Sequence, residues 1–219
     1  MKKRELKQIL IPMLVCIISI IIGLTTNNSF LGMIVLITGI LNSYYGSVGN
    51  KINFPIGVIN NLVLSYIAFK NNNYGLVIFN LLLFMPINIK GYFEWNKNSN
   101  KDLVENRGLG IKKGIITIII SIIIGLIVAY LLGLIPGERL SYLDSFTNVI
   151  SFIAGILLML RYNESWILYL VNNILDLILW IINYSSGGFD SLMVLLMSIM
   201  YLLINIYALF KWRNTNEKL

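Results

Sequence analysis

The octapeptide IISIIIGL occupies residues 17–24 and recurs, letter for letter, at residues 119–126. Each copy lies in a longer uncharged apolar run, and about 20 such residues form a membrane-spanning helix. Of the 219 residues in the whole chain, 57% are hydrophobic and only 12% are charged, with a mean hydropathy of +0.78. Soluble domains carry about 25% charged residues. The sequence therefore predicts an all-α integral membrane protein.

Apolar runs separated by polar clusters divide the chain into eight predicted spans. They cover residues 9–24, 30–48, 54–69, 74–93, 114–135, 144–160, 166–184 and 192–210. With a cytoplasmic N-terminus, eight spans place 15 of the 17 lysines and arginines on the cytoplasmic side, and only Lys70 and Arg139 lie outside. This distribution follows the positive-inside rule. We predict a multi-pass plasma or inner membrane protein with both termini in the cytoplasm.

The octapeptide is the first of four matches that occur in the same order in both halves of the chain. In the second span of each half, ITGIL matches IAGIL. In the third, VINNL matches LVNNI, and in the fourth, INIKGYFEW matches INIYALFKW. Four ordered matches indicate an internal duplication. Each half has an even number of spans, so both halves insert in the same orientation, as parallel repeats do. The predicted division is a first four-helix repeat at residues 1–95, a cytoplasmic linker at 96–113 and a second repeat at 114–219.

Composition excludes several kinds of chemistry. The chain has a single cysteine, Cys16, and no histidine, which excludes an internal disulfide, Cys/His zinc sites and imidazole catalysis. No phosphate-binding loop is present, and the spans hold no convergent acid–base set for an enzyme. We predict no cofactor, no metal and no nucleic-acid partner. Parallel-repeat membrane proteins are typically transporters that bind substrate near the midplane, between their halves.

Polar side chains inside the predicted spans mark the candidate substrate site, because such groups are costly at bilayer depth unless they face protein or water. One face of span seven carries a stripe of them at steps of three and four residues. Its members are Trp166, Tyr169, Asn173, Asp176 and Trp180. The same face of span three keeps Asn61, and further candidates on spans four and eight are Asn80, Asn88, Tyr201 and Asn205. These faces are either packing seams or the lining of a site for a flat ring with hydrogen-bonding edges.

Three details of these spans carry separate expectations. Trp166 and Trp180 are about 21 Å apart along one helix, so they cannot hold the same ring, and we favour Trp180 as the stacking residue. Asp176 is the one carboxylate well inside a predicted span, which leaves coupling to an ion gradient open. Trp95 and Trp212, beside lysines at helix ends, are expected to anchor the helices at the membrane interface.

Residues 144–180, DSFTNVISFIAGILLMLRYNESWILYLVNNILDLILW, resemble the Pnu-type vitamin transporters, best known for nicotinamide riboside uptake. RYNESW is the most specific part, and SFLGMIVLITGIL, NFPIGVINNLVLSYIAF and MPINIKGYFEW in the first half are similar to the same family. The resemblance implies a SWEET-like core of three, one and three helices with an extra N-terminal helix. It also implies a homotrimer with one pore in each protomer. Transport in the family is facilitated diffusion, or uniport, made one-way by a cytoplasmic kinase that phosphorylates the substrate.

Several positions depart from the nicotinamide riboside pattern on or beside the proposed lining. Ser165 and Asn88 stand where glutamine is expected, Tyr169 where a second tryptophan is expected, and Gly155 where a bulkier residue is usual; Asp176 is not expected. Nicotinamide riboside is the first candidate substrate. Thiamine, riboflavin and deoxynucleosides are alternatives on the same scaffold. A substrate-capture subunit of an ATP-driven vitamin importer is a further alternative, for which a six-span core without duplication would be expected.

Overall fold

The computed structural model describes residues 3–26, 28–100 and 103–216, and this part of the chain consists of helices, the loops between them and one short pair of strands. The helices are α1 (Lys3–Thr25), α2 (Phe30–Ser47), α3 (Asn53–Lys70), α4 (Tyr74–Phe79), α5 (Met85–Lys97), α6 (Ile111–Gly133), α7 (Ser141–Met159), α8 (Ser165–Ser185) and α9 (Ser191–Asn216). A π-helical segment, Asn80–Phe84, joins α4 to α5 in one continuous rod. The strands β1 (Ser99–Asn100) and β2 (Leu103–Val104) pair antiparallel in the linker.

The helices form eight rods when α4 and α5 are counted as one, and each of the eight predicted spans corresponds to one of these rods. Within the described ranges, six helices are long and apolar enough to cross a membrane: Phe30–Ser47, Tyr74–Lys97, Lys112–Gly133, Ser141–Met159, Ser165–Ser185 and Ser191–Trp212. A shorter apolar helix covers Pro12–Thr25. Helix α3 is absent from the six although it has 18 residues, because buried polar residues such as Asn60 and Asn61 lower its hydropathy. The predicted all-α membrane class is confirmed, and the number of eight spans remains a prediction.

Six rods form a closed ring. Around it, α2 packs on α3, α3 on the α4–α5 rod, that rod on α7, α7 on α8, α8 on α9, and α9 on α2. Helices α1 and α6 lie outside the ring, where α1 packs on α2 and α6 packs on α7. The outward face of α6 is rich in isoleucine, and Ile119, Ile122 and Ile123 are each about half exposed. Such a surface suits contact with lipid, which is as apolar as these side chains.

The π-helical segment ends at Phe84, two residues before Pro86. Proline has no N–H for the carbonyl one turn back, and its ring crowds that carbonyl. The wider π turn takes up this mismatch without breaking the rod, and π turns of this kind are frequent at functional sites. Asn80, at the start of the segment, is buried. The backbone irregularity thus lies next to a polar side chain that faces the inside of the ring.

At one end of the ring, carboxylates join helices across the two seams where the halves of the chain meet. On the α2/α9 seam, the backbone N–H of Ser29 donates to Asp190 Oδ1 at 2.9 Å, and the Ser29 hydroxyl donates to Oδ2. On the other seam, the N–H of Leu76, in the first turn of α4, donates to Asp144 Oδ2 on α7 at 3.2 Å. Carboxylates beside helix N-termini are stabilised by the helix dipole. Both seams are therefore held by a carboxylate at this end.

At the opposite end, two tryptophans join the same seams. Trp95 Nε1 donates to the carbonyl of Leu158 on α7 at 3.0 Å, and Trp212 Nε1 donates to the carbonyl of Ser47 on α2 at 2.9 Å. Trp95 is 0% exposed and Trp212 is 4% exposed. The expectation that these two residues are interfacial anchors is therefore wrong. Both rings turn towards the protein because the neighbouring seam offers a buried surface and a carbonyl acceptor.

Candidate substrate site

A cavity of about 160 Å³ lies inside the ring, and all six ring rods contribute side chains to its wall. A second cavity of about 100 Å³ adjoins it on the side of the α5 helix. The two share six wall residues: Asn42, Asn53, Asn61, Phe84, Leu158 and Tyr169. Together they form one polar chamber between the two halves of the chain. We call this the central chamber.

The structure brings all ten predicted site residues to the central chamber. Nine line the larger cavity: Asn61, Asn80, Trp166, Tyr169, Asn173, Asp176, Trp180, Tyr201 and Asn205. The tenth, Asn88, lines the smaller cavity together with Asn61 and Tyr169. The stripe of span seven and its counterparts on spans three, four and eight therefore face each other across one space.

A pair of asparagines from each half supplies much of the polar wall. Asn60 and Asn61 on α3 align with Asn172 and Asn173 on α8 in the matching segments VINNL and LVNNI, and all four are buried and line the chamber. Asn60 is fixed by the α2 helix, because its Nδ2 donates to the carbonyl of Val35 at 3.0 Å. Asn61 and Asn173 differ, since the Nδ2 of each has no hydrogen-bond partner in the described part of the chain.

Further buried polar atoms of the chamber wall are also unpaired within the described ranges: Asn80 Nδ2, Trp166 Nε1, Asn172 Oδ1, Asn148 Oδ1 and Asn53 Oδ1. A buried polar atom without a partner costs about 1–3 kcal/mol, so folded proteins contain few of them. Among the described residues, seven of the fourteen such atoms belong to side chains that line this one chamber. This arrangement can hydrogen-bond a small polar molecule on several sides.

Trp166 and Trp180 stand at opposite ends of the chamber. Trp166 packs with the seam tryptophans, and the centroid of its ring is 5.5 Å from that of Trp212. Trp180 is 1% exposed and belongs to a separate apolar cluster formed with α2, α3 and α9. Tyr169 lies between them along the helix, with its ring 5.8 Å from that of Trp166. The chamber thus has an aromatic side chain at each end and amides between.

Asp176 brings a carboxyl group to the chamber wall. The Ser198 hydroxyl on α9 donates to its Oδ2 at 2.7 Å, and the side chain of Trp180 lies beside it. Asp176 is the one acidic residue among those that line the two cavities, and no described lysine or arginine lines either of them. The chamber therefore has an acidic group with no basic partner in its wall.

Sequence reasoning missed the contribution of the second helix of each half. On α2 the chamber is lined by Asn42 and Ser43, and on α7 by Thr147, Asn148 and Ser151. Asn42 Nδ2 donates to the backbone carbonyl of Asn53 at 2.7 Å, which ties α2 to the start of α3. All five are polar residues inside a predicted span, which is the signal that could have found them, although only those on α7 recur at helical spacing.

A ring of membrane helices around an amide-rich chamber is the architecture of a multi-pass membrane transporter for small polar molecules. Comparison with known proteins gives the family. The sequence profile described as nicotinamide mononucleotide transporter matches residues 29–214, and this chain belongs to that family. The predicted membership of the Pnu-type transporters is confirmed.

Two relatives and one solved structure give the extent of the similarity. The nicotinamide riboside transporter PnuC of Neisseria mucosa is 29% identical over 191 residues, which cover 84% of this chain and 72% of the relative. The protein of the same name from Haemophilus influenzae is 31% identical over 191 residues, covering 85% and 80%. The crystal structure of the vitamin B3 transporter PnuC superimposes with a TM-score of 0.83 at 27% identity, covering 94% of this chain and 90% of that one.

Proposed function

We propose that this protein carries nicotinamide riboside across the cytoplasmic membrane by facilitated diffusion. The observation that carries the proposal is a pair of amide Nδ2 atoms, those of Asn61 and Asn173, which have no partner among the described residues and belong to side chains that line one chamber from repeat-related positions. Nicotinamide riboside has a flat aromatic ring, a carboxamide and ribose hydroxyls, and amide side chains can hydrogen-bond the last two. The relatives of this family named for nicotinamide riboside transport support the same substrate.

Within this proposal each part of the chamber has a role. Asn61 and Asn173 bind the ligand near mid-depth, with Tyr169 beside Asn173. Asn80, Asn88, Tyr201 and Asn205 close the sides, and Trp180 stacks on the ring while Trp166 lies at the far end. The burial of these side chains around one space and the unpaired amide atoms among them support this assignment.

The fold we propose around the site is a pair of parallel four-helix repeats with eight spans and a SWEET-like core. The pattern of helix contacts supports it. Under the repeat, α2 corresponds to α7 and α9 corresponds to the α4–α5 rod, so the α2/α9 seam is the counterpart of the seam between α7 and that rod. The hydrogen bonds at both ends of these seams suggest how passage occurs: one end opens while the other stays joined.

We also propose the assembly and direction of transport that the family resemblance implies. The protein forms a homotrimer with one chamber in each protomer. A uniporter moves its substrate only down its electrochemical gradient, so continued net uptake needs a reaction that consumes the substrate inside the cell. A cytoplasmic kinase that phosphorylates the riboside supplies it, because the added charge prevents the product from returning.

Transport by the purified protein tests the proposal. In vesicles that contain only this protein, nicotinamide riboside should exchange and equilibrate, and neither a pH gradient nor a sodium gradient should drive accumulation. Thiamine, riboflavin and deoxynucleosides are offered as competitors in the same assay. Gradient-driven accumulation would contradict uniport, and exchange of a competitor instead of the riboside would contradict the substrate.

The proposed topology predicts which residues react from each side of the membrane. Cys16 is first replaced by serine, and single cysteines are placed at two exposed positions, Ser186 in the α8–α9 loop and Glu105 in the linker. An impermeant maleimide should label the cysteine at 186 in intact cells and the cysteine at 105 only after permeabilisation. External labelling at position 105 would overturn the eight-span topology with cytoplasmic termini.

A further inference from the structure

We propose that Asp176 is the specificity-determining residue of the central chamber and that it selects substrates whose ring carries a permanent positive charge. The inference rests on the proposed function, in that it takes the chamber to be the substrate site, and it narrows the class of substrate. Asp176 lies one helical turn from Asn173 on α8, and both line the same cavity.

The first argument is the balance of charge in the wall. The residues that line the two cavities include Asp176 and, among the described residues, no lysine or arginine. An ionised carboxylate away from water is unfavourable without an opposite charge. Ser198 donates one hydrogen bond to Oδ2, which helps to hold the carboxylate but adds no charge. A cationic ligand would supply the missing partner.

The second argument is the surroundings of the carboxylate. Trp180 and Tyr201 lie beside Asp176 on the chamber wall. Aromatic faces attract cations through their quadrupoles, and the attraction grows when the site is shielded from water. A flat cationic ring at this place would therefore contact a carboxylate and aromatic side chains together. A pyridinium or thiazolium ring meets these requirements, whereas a flavin or a deoxynucleoside carries no such charge.

The third argument is the asymmetry of the repeat. The counterpart of Asp176 in the first half is Leu64, which also lines the chamber. The negative charge therefore lies only on the α8 side of a chamber whose asparagines come from both halves. A ligand with a cationic ring and a neutral sugar would be oriented by this difference, with the ring towards Asp176 and the sugar towards the amides of Asn61 and Asn80.

A pair of ligands that differ in charge tests the inference. Nicotinamide riboside has a pyridinium ring, and its 1,4-dihydro form has a neutral ring on the same ribose. Binding of each to the purified full-length protein is measured by calorimetry for the wild type, for Asp176→Asn and for Glu105→Gln. The last variant removes a carboxylate from an exposed position in the linker and serves as the matched control.

We expect the wild type and Glu105→Gln to bind the cation roughly 10- to 100-fold more tightly than the neutral form. Asp176→Asn should lose this preference because it binds only the cation more weakly. Its unchanged binding of the neutral form would show that the variant is folded. If the wild type binds the cation no more tightly than the neutral form, the inference is overturned, and the variants need not be measured. Equal weakening of both ligands in Asp176→Asn also overturns it, because the carboxyl then acts through hydrogen bonds or packing.

A second ligand pair separates this inference from the proposed function. If neither form of the riboside binds, thiamine and its neutral thiophene analogue are compared in the same way. Preference for thiamine that depends on Asp176 would overturn nicotinamide riboside as the substrate and would support the selection of cations. Binding of riboflavin or a deoxynucleoside in preference to every cation, or binding of no cation at all, would overturn the role of Asp176.

Discussion

Replacement of Asn173 by leucine should weaken the binding of nicotinamide riboside by about 5- to 150-fold. The side chain is 2% exposed, lines the chamber and has an Nδ2 without a partner in the described ranges. A ligand that uses this amide would be left with an unpaired buried polar group, which costs about 1–3 kcal/mol, and each 1.4 kcal/mol is tenfold in affinity. Titration calorimetry on the purified variant measures the change.

Two variants serve as comparisons for this result. Asn61→Leu should weaken binding by a similar factor, because Asn61 is the repeat counterpart and its Nδ2 is also unpaired among the described residues. Asn183→Leu removes a buried amide from the same helix as Asn173, but Asn183 is not among the chamber-lining residues and bonds the carbonyl of Leu179. It should change stability and leave affinity unchanged. Normal binding and transport by Asn173→Leu would show that the stripe is a packing seam.

Replacement of Trp95 by alanine should lower the free energy of unfolding by about 3–5 kcal/mol. The indole is completely buried between the halves, packs against Phe54 with centroids 4.9 Å apart, and donates a hydrogen bond to the carbonyl of Leu158. Its loss leaves a cavity at the seam and removes the bond that joins α5 to α7. Far-UV circular dichroism during denaturant-induced unfolding in detergent measures the effect without relying on tryptophan fluorescence.

The control for this measurement lies two residues earlier on the same helix. Phe93 is 59% exposed on the outside of the ring, so Phe93→Ala should have little effect on unfolding. Trp212→Ala should resemble Trp95→Ala, since it breaks the equivalent bond to Ser47 on the other seam. A small effect of Trp95→Ala, similar to that of Phe93→Ala, would contradict the role of Trp95 in joining the seam.

The contrast between Asn173 and Trp95 shows how far sequence reasoning reaches in this protein. Asn173 could be placed on an inward face because polar residues inside a span are tolerated only where they avoid lipid. Trp95 could not be placed, because tryptophan near a helix end suits the membrane interface and a buried seam equally well. Asn42 and Asn148 are also polar residues inside a span, but on their helices no aromatic side chain lines the chamber beside them, as Trp166, Tyr169 and Trp180 do on span seven.

The sequence by itself determined the membrane class and the approximate positions of the helices, and it predicts the internal repeat. Each depends on local features: the length of an apolar run, the position of charges and the order of matching segments. Only the tertiary structure decided that six rods close into a ring, that Trp95 and Trp212 join its seams, and that amides from these six rods meet in one chamber. The physical reason is the solvent. Lipid is as apolar as a protein interior, so the surface of a membrane helix that packs on protein carries nearly the same residues as the surface that faces lipid. Which side turns inward is then set by contacts between distant helices.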